Sequence, residues 1–164
     1  LLLDGFKVDG KTINSIDPII EGNGSIEDDL TNEINSSHLS ESEDIINHIN
    51  CSAQSFLKVE PDYNACLSHA RIALETLVRG IAKHKGFVVA EESKAWGSSL
   101  NYLKTSVFLN EKQEKTIQAI YTFVSDGSHI PLGFTEKEYA RFGRNLITSI
   151  CYFISKLYTG NPNA

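Results

Sequence analysis

The feature that most constrains this chain is the long apolar stripe that follows Pro61. Placed at about 100° per residue, Cys66, Ala70, Ala73, Leu74, Leu77 and Ile81 make one continuous face. Leu67 and Val78 widen that face, and Arg71 and Glu75 lie at its edge, one turn apart. A strand alternates with period two and would scatter the same residues over both sides of a sheet. The spacing therefore predicts a long helix. Pro61 suits its first turn, where the missing N–H costs nothing, and Gly86 its end. A helix with one wide apolar face needs neighbours to cover it.

Further stripes supply those neighbours. Ile45, Ile46, Ile49, Ala53, Phe56 and Leu57 recur at helical spacing behind an expected capping box at Ser40-Glu41-Ser42-Glu43. Ser98 or Ser99 is expected to cap a short helix carrying Leu100, Leu103 and Val107, after a loop that holds Trp96. Asn110 caps a helix with Ile117, Ile120, Tyr121 and Val124. A second capping box, Thr135-Glu136-Lys137-Glu138, opens the stripe Tyr139, Phe142, Leu146, Ile150, Phe153 and Leu157. The opposite face of that last helix carries Arg141, Arg144, Asn145 and Thr148. The fold expected is all-α, an antiparallel bundle of about five helices over residues 38–160, with a tail at 161–164.

Charge separates the beginning of the chain from the rest. The whole net charge of −6 sits in residues 1–37, where Asp4, Asp9, Asp17, Glu21, Glu27, Asp28, Asp29 and Glu33 face only Lys7 and Lys11. Asp4-Gly5 and Asp9-Gly10 are turn dipeptides, which predicts a small β-meander, and residues 21–37 have the composition of a linker with a short helix. Residues 1–37 thus read as an acidic arm: a tether, a remnant of a preceding domain, or a segment that binds a partner protein or shields a positive patch.

At 164 residues the chain is long enough for a core without disulfides. Cys51, Cys66 and Cys151 form no C-x-x-C pair and have no His at zinc spacing, so they read as small buried hydrophobes. No metal and no cofactor are expected. Free thiols without a signal peptide point to the cytoplasm, and no apolar run is long enough for a membrane. The chain contains no Met, position 1 included, as expected of an excised or processed piece. The acidic balance argues against a broad basic footprint for nucleic acid.

Neither a phosphate-binding loop nor a zinc-protease motif nor a nucleophile elbow is present. The segment hardest to explain by packing is Val124-Ser125-Asp126-Gly127-Ser128-His129, which crosses a helix end. His129 is the candidate proton carrier, with Asp126 and Ser125 as its catalytic companions. The competing reading is structural: Asp126-Gly127 is ordinary turn chemistry and Ser128 can cap. Arg71, Glu75, Arg144 and Ser128 are the candidate phosphate- or ligand-binding groups, because a guanidinium grips phosphate through two hydrogen bonds. An ordinary i, i+4 salt bridge is the competing reading for Arg71 and Glu75.

The run from Tyr63 to Glu75 resembles the long second helix of HEPN-type helical domains. Ile120 to His129 is similar to the end of their motif-bearing helix, and Tyr139 to Leu157 to their closing helix. Abortive-infection C-terminal-like proteins share this layout, and the resemblance covers about residues 40–158. It implies a bundle that often dimerises. In active members it implies a metal-independent endoribonuclease with Arg, four residues, then His. His129 takes the place of that His, and Val124 stands where the Arg is expected. The expectation is a HEPN-like, non-catalytic dimerisation, ligand-sensing or partner-binding domain of a prokaryotic, phage-defence protein. The alternatives are a divergent endoribonuclease using His129, with RNA or a nucleotide as partner, and a plain helical interaction domain.

Overall fold

The computed structural model describes residues 6–15, 25–88, 96–125 and 130–160. The fold is all-α. Its helices are α1 (Ile26–Ser36), α2 (Ser42–Leu57), α3 (Tyr63–His84), α4 (Trp96–Thr105), α5 (Glu111–Ser125) and α6 (Glu136–Gly160). Before them β1 (Phe6–Asp9) and β2 (Thr12–Ser15) pair as an antiparallel hairpin, with Val8 opposite Ile13. The expected meander is this one hairpin. Gly10, at φ +60°, opens its two-residue turn.

Helix α3 is the axis on which α2, α4, α5 and α6 pack, while α1 lies on α6 and α2. All eight residues of its predicted face are buried. Side-chain contacts fix the directions. Ser52 meets Cys66 and Glu41 meets Lys83, so α2 runs against α3. Leu67 lies beside Gly143 and His84 bonds Tyr158, so α6 runs with α3. A Cβ on Gly143 would sit 2.8 Å from Leu67 Cδ2 and 3.4 Å from Val124 Cγ2, so the bare backbone lets α6 approach both α3 and α5.

Local signals set the helix ends. The Asp62 carboxylate accepts from Ala65 N at 2.8 Å and caps α3, which leaves Pro61 just before the cap and outside the first turn where it was expected. At the other end Phe87 N donates to Ala82 O and Gly86 N to Lys83 O, a Schellman motif with Gly86 at φ +93°. Asn110 and Gln113 exchange cap bonds ahead of α5, and Thr135 and Glu138 do so ahead of α6. The box expected at Ser40 does not form. The Ser40 hydroxyl turns to Glu41, and α2 begins at Ser42, whose own hydroxyl donates to Leu39 O. A box does form at Ser25 and Asp28, and it opens the short helix expected around Ile26–Ile34 within the linker-like stretch.

That box corrects the boundary drawn at residue 37. Helix α1 buries Leu30 and Ile34 in the common core. Two of its acids face α6: Glu27 pairs with the buried Arg144, and Glu33 with Lys156 at the surface. The bundle accordingly begins at Ser25, and part of the acidic surplus answers cations on α6.

The second correction concerns α6 itself. Tyr139, the first residue of the predicted stripe, is buried, but beyond it the face turned to the core is Ala140, Gly143, Arg144, Ile147, Thr148, Cys151, Ile154, Ser155 and Tyr158. Phe142 and Phe153 remain 45% and 36% exposed. Small residues win the inward face because α6 is clamped closely between α1 and α3, and the one charge there has a partner. Two smaller corrections fall on α4. Trp96 opens the helix, and Val107 lies outside it in the left-handed region at φ +62°. That turn sends Phe108 and Leu109 back into the core.

Candidate functional site

Asp126, Ser128 and His129 lie outside the described residues. The groups that frame them are Ser125, which ends α5, and Ile130, where the description resumes. Ser125 is exposed, and its hydroxyl donates back to Tyr121 O at 2.6 Å, a helix-end bond that occupies its proton. Ile130 lines a cleft of about 580 Å³ between the start of α3 and the start of α6. Glu60, Asp62 and Glu136 put three carboxylates on its wall beside Tyr63 and Tyr139, and among the described residues no Lys, Arg or His lines it. The Tyr139 hydroxyl donates to Phe123 O at 2.6 Å, tying α6 to the end of α5. A phosphodiester entering this cleft would meet like charge.

The predicted Arg71–Glu75 pair takes a different form. Glu75 bonds Arg79 at 3.0 Å and accepts from the Tyr121 hydroxyl at 2.6 Å. Arg71 lies instead over the Tyr121 ring, 5.6 Å from its centre, a cation–π contact, and its Nε is buried without a hydrogen-bond partner. Tyr121 also stacks on Trp96, with ring centres 4.4 Å apart and planes 16° apart, and Trp96 Nε1 donates to Gln118 Oε1. Burial, and next the bond to Glu75, push the Tyr121 phenol above its ordinary range, so it acts as a donor and not as a nucleophile. This cluster links α3, α4 and α5.

Arg144 was a candidate phosphate clamp. It is buried and bonds Glu27 through both terminal nitrogens, at 2.6 and 2.7 Å. Burial works against its charge, and the Glu27 bonds and charge more than offset this. The fork that would grip a phosphate is therefore filled from within the protein. The sequence could not show this, because its partner is 117 positions away.

Two of the three cysteines are the buried hydrophobes their pattern predicted, whereas Cys51 on α2 is only half-buried. Cys66 and Cys151 are buried free thiols, and burial pushes the Cys151 thiol up to about 12. Burial also raises Cys66, against the opposing bond from Ser52. Among the described residues no group of three or more His, Cys, Asp or Glu is placed to hold a metal ion, and no helix is long and apolar enough to cross a membrane.

One pair escaped the sequence reading. His48 on α2 and His69 on α3 bring their Nδ1 atoms within 3.0 Å, with ring centres 5.3 Å apart. Both are half-buried. No local signal announces them, since 21 positions separate them and only the α2–α3 hairpin brings them together.

No protein-family model, curated protein or solved structure matches the chain.

Proposed function

We propose that this chain is a helical assembly module, HEPN-like in layout and non-catalytic, that pairs with a second copy of itself through the outward face of α6. The observation that carries the reading is the ridge Phe142, Leu146, Ile150, Phe153 and Leu157, which stays partly in water although its spacing is that of a packed helix. Ile150 and Leu157 rest one side on the core, and Phe142 and Phe153 are its most exposed members. Phe123 and Phe134, also exposed, stand edge-on or tilted against Phe142 and lengthen the ridge at one end. A contiguous apolar strip of this kind marks an interaction surface.

The ridge is self-complementary in one orientation. An antiparallel pairing about a two-fold axis near Ser149 and Ile150 sets Phe142 against the partner's Leu157 and Leu146 against the partner's Phe153. Large then meets medium at each level, and the two helix dipoles oppose. A parallel pairing would stack Phe on Phe. Phosphate-cleaving chemistry has less to stand on. Val124, at the position of the expected Arg, is a core residue packed by Gly143 and Leu67, Arg144 is held by Glu27, and the nearby cleft is acidic. The cytoplasmic setting and the link to phage defence are part of the proposal, resting on the free thiols and the HEPN resemblance.

Sedimentation at increasing concentration is expected to give a dimer. Phe153→Glu, and separately Leu146→Glu, should raise the dissociation constant by on the order of tenfold or more, with helix content retained. A wild-type monomer at all concentrations would sink the reading. Incubation with single-stranded RNA and no added metal is expected to leave the RNA intact. Cutting that disappears in His129→Ala would overturn the non-catalytic half.

A further inference from the structure

We propose that His48 and His69 form a proton-responsive latch across the middle of the α2–α3 seam, closed while at least one of the facing nitrogens is bare and opened when both carry protons.

The geometry is that of a single shared hydrogen. The Nδ1 atoms are 3.0 Å apart and the ring centres 5.3 Å apart, and the difference is the two ring radii laid end to end. The nitrogens therefore lie nearly on the line joining the rings, which suits one linear N–H···N bond. One ring must donate from Nδ1 while the other keeps its proton on Nε2 and accepts. A first added proton enters on Nε2 of the donor. It leaves the shared bond in place and makes it charge-assisted. A second proton has only the acceptor's Nδ1 to occupy. Two N–H groups, each on a cationic ring, would then point at each other across a gap that cannot hold them.

The surroundings give no escape from that second step. Asp44, one turn before His48 on α2, is the carboxylate whose charge reaches the pair. One turn to either side of His69, α3 offers only Ala65, Cys66, Ile72 and Ala73, and the Cys66 thiol is held neutral by burial. Helices α1 and α6 also pack on α2, and the charged pairs between them, Glu27–Arg144 and Glu33–Lys156, are each closed on themselves. Burial first, and then the charge of His69, hold His48 below the ordinary histidine range, with Asp44 countering in part. A histidine lowered in this way binds protons more readily once unfolded. Its contribution is complete above the ordinary histidine range and is lost as the pH falls below it.

Opening the latch would act on a seam pinned on both sides. Ser52 donates to Cys66 O on one side, and the Glu41–Lys83 pair lies on the other. Loss of the central contact frees the stretch between them without unfolding the bundle.

The test compares wild type with His69→Gln, which keeps a polar side chain but removes one titrating group. Imidazole proton resonances of wild type should titrate in two steps separated by more than about one pH unit, with His48 reverting to a single step in the variant. Amide exchange in α2 and α3, corrected for its intrinsic pH dependence, should be roughly tenfold faster at about pH 5 than at about pH 7.5 in wild type. The variant should lose most of that increase. The remaining histidines are common to both proteins and cancel in the comparison. Independent titration of His48 and His69 near the ordinary value would overturn the latch, as would a corrected exchange rate that does not change with pH or changes equally in both proteins.

Discussion

Leu74→Ala is expected to lower the free energy of unfolding by about 3–5 kcal/mol, the range for deleting a fully buried leucine side chain from a core that cannot collapse around the gap. Leu74 has no exposed surface, and it sits on the one helix against which four others pack. A neighbour on any single helix cannot move in to fill the cavity without pulling away from the rest. For a chain of this size the melting temperature should fall by on the order of 10 °C. Phe142→Ala is the informative contrast. It removes a larger side chain, yet one that is 45% exposed, so the stability of the isolated protomer should change by only about 0.5–1 kcal/mol. Denaturant midpoints of the two variants, measured at a concentration where the protein is monomeric, would check the pair. Equal losses would mean that α6 buries its Phe142 face and not the face that includes Ile147 and Cys151.

Glu27→Gln carries the second large effect. It leaves the Arg144 guanidinium buried beside an amide that cannot balance its charge. Breaking a fully buried ion pair costs about 3–5 kcal/mol, and about 2–3 kcal/mol is expected here because the Glu27 side chain keeps 36% of its surface in water. The loss should appear in urea denaturation at neutral pH. Adding Arg144→Met to Glu27→Gln should recover much of it, since the charge that needed a partner is gone and the replacement fills similar space. If Glu27→Gln were silent, α1 would be held on α6 by Leu30 and Ile34 and not by this pair.

The two variants fall on opposite sides of what the sequence could show. The α3 stripe was fully legible. Its face spans enough turns that a helical period is the only simple account of it, and every residue assigned to it is buried. Helix ends were legible wherever a side chain a few positions away does the capping, as at Asn110 and Thr135. They were misread at Ser40, where the hydroxyl has a nearer acceptor in Glu41. The candidate site was legible only as a segment. Its central residues lie outside the described ones, and the groups proposed to surround it proved to be engaged elsewhere: Arg144 with Glu27, Glu75 with Tyr121 and Arg79, and Arg71 over an aromatic ring.

The amino-acid sequence by itself determined that this protein is a helical bundle, where most of its helices run, and that Cys66 and Cys151 are core residues. Each of these follows from interactions within a few turns of one helix, which the order of residues records directly. Only the tertiary structure decided which face of α6 is inside, that α1 belongs to the core, and that His48 meets His69. Those outcomes depend on pairs 21 to 117 positions apart, whose meeting is set by how the helices pack together. A stripe of apolar residues tells a helix that one side must leave water. It does not say whether the covering surface comes from the same chain or from a second copy.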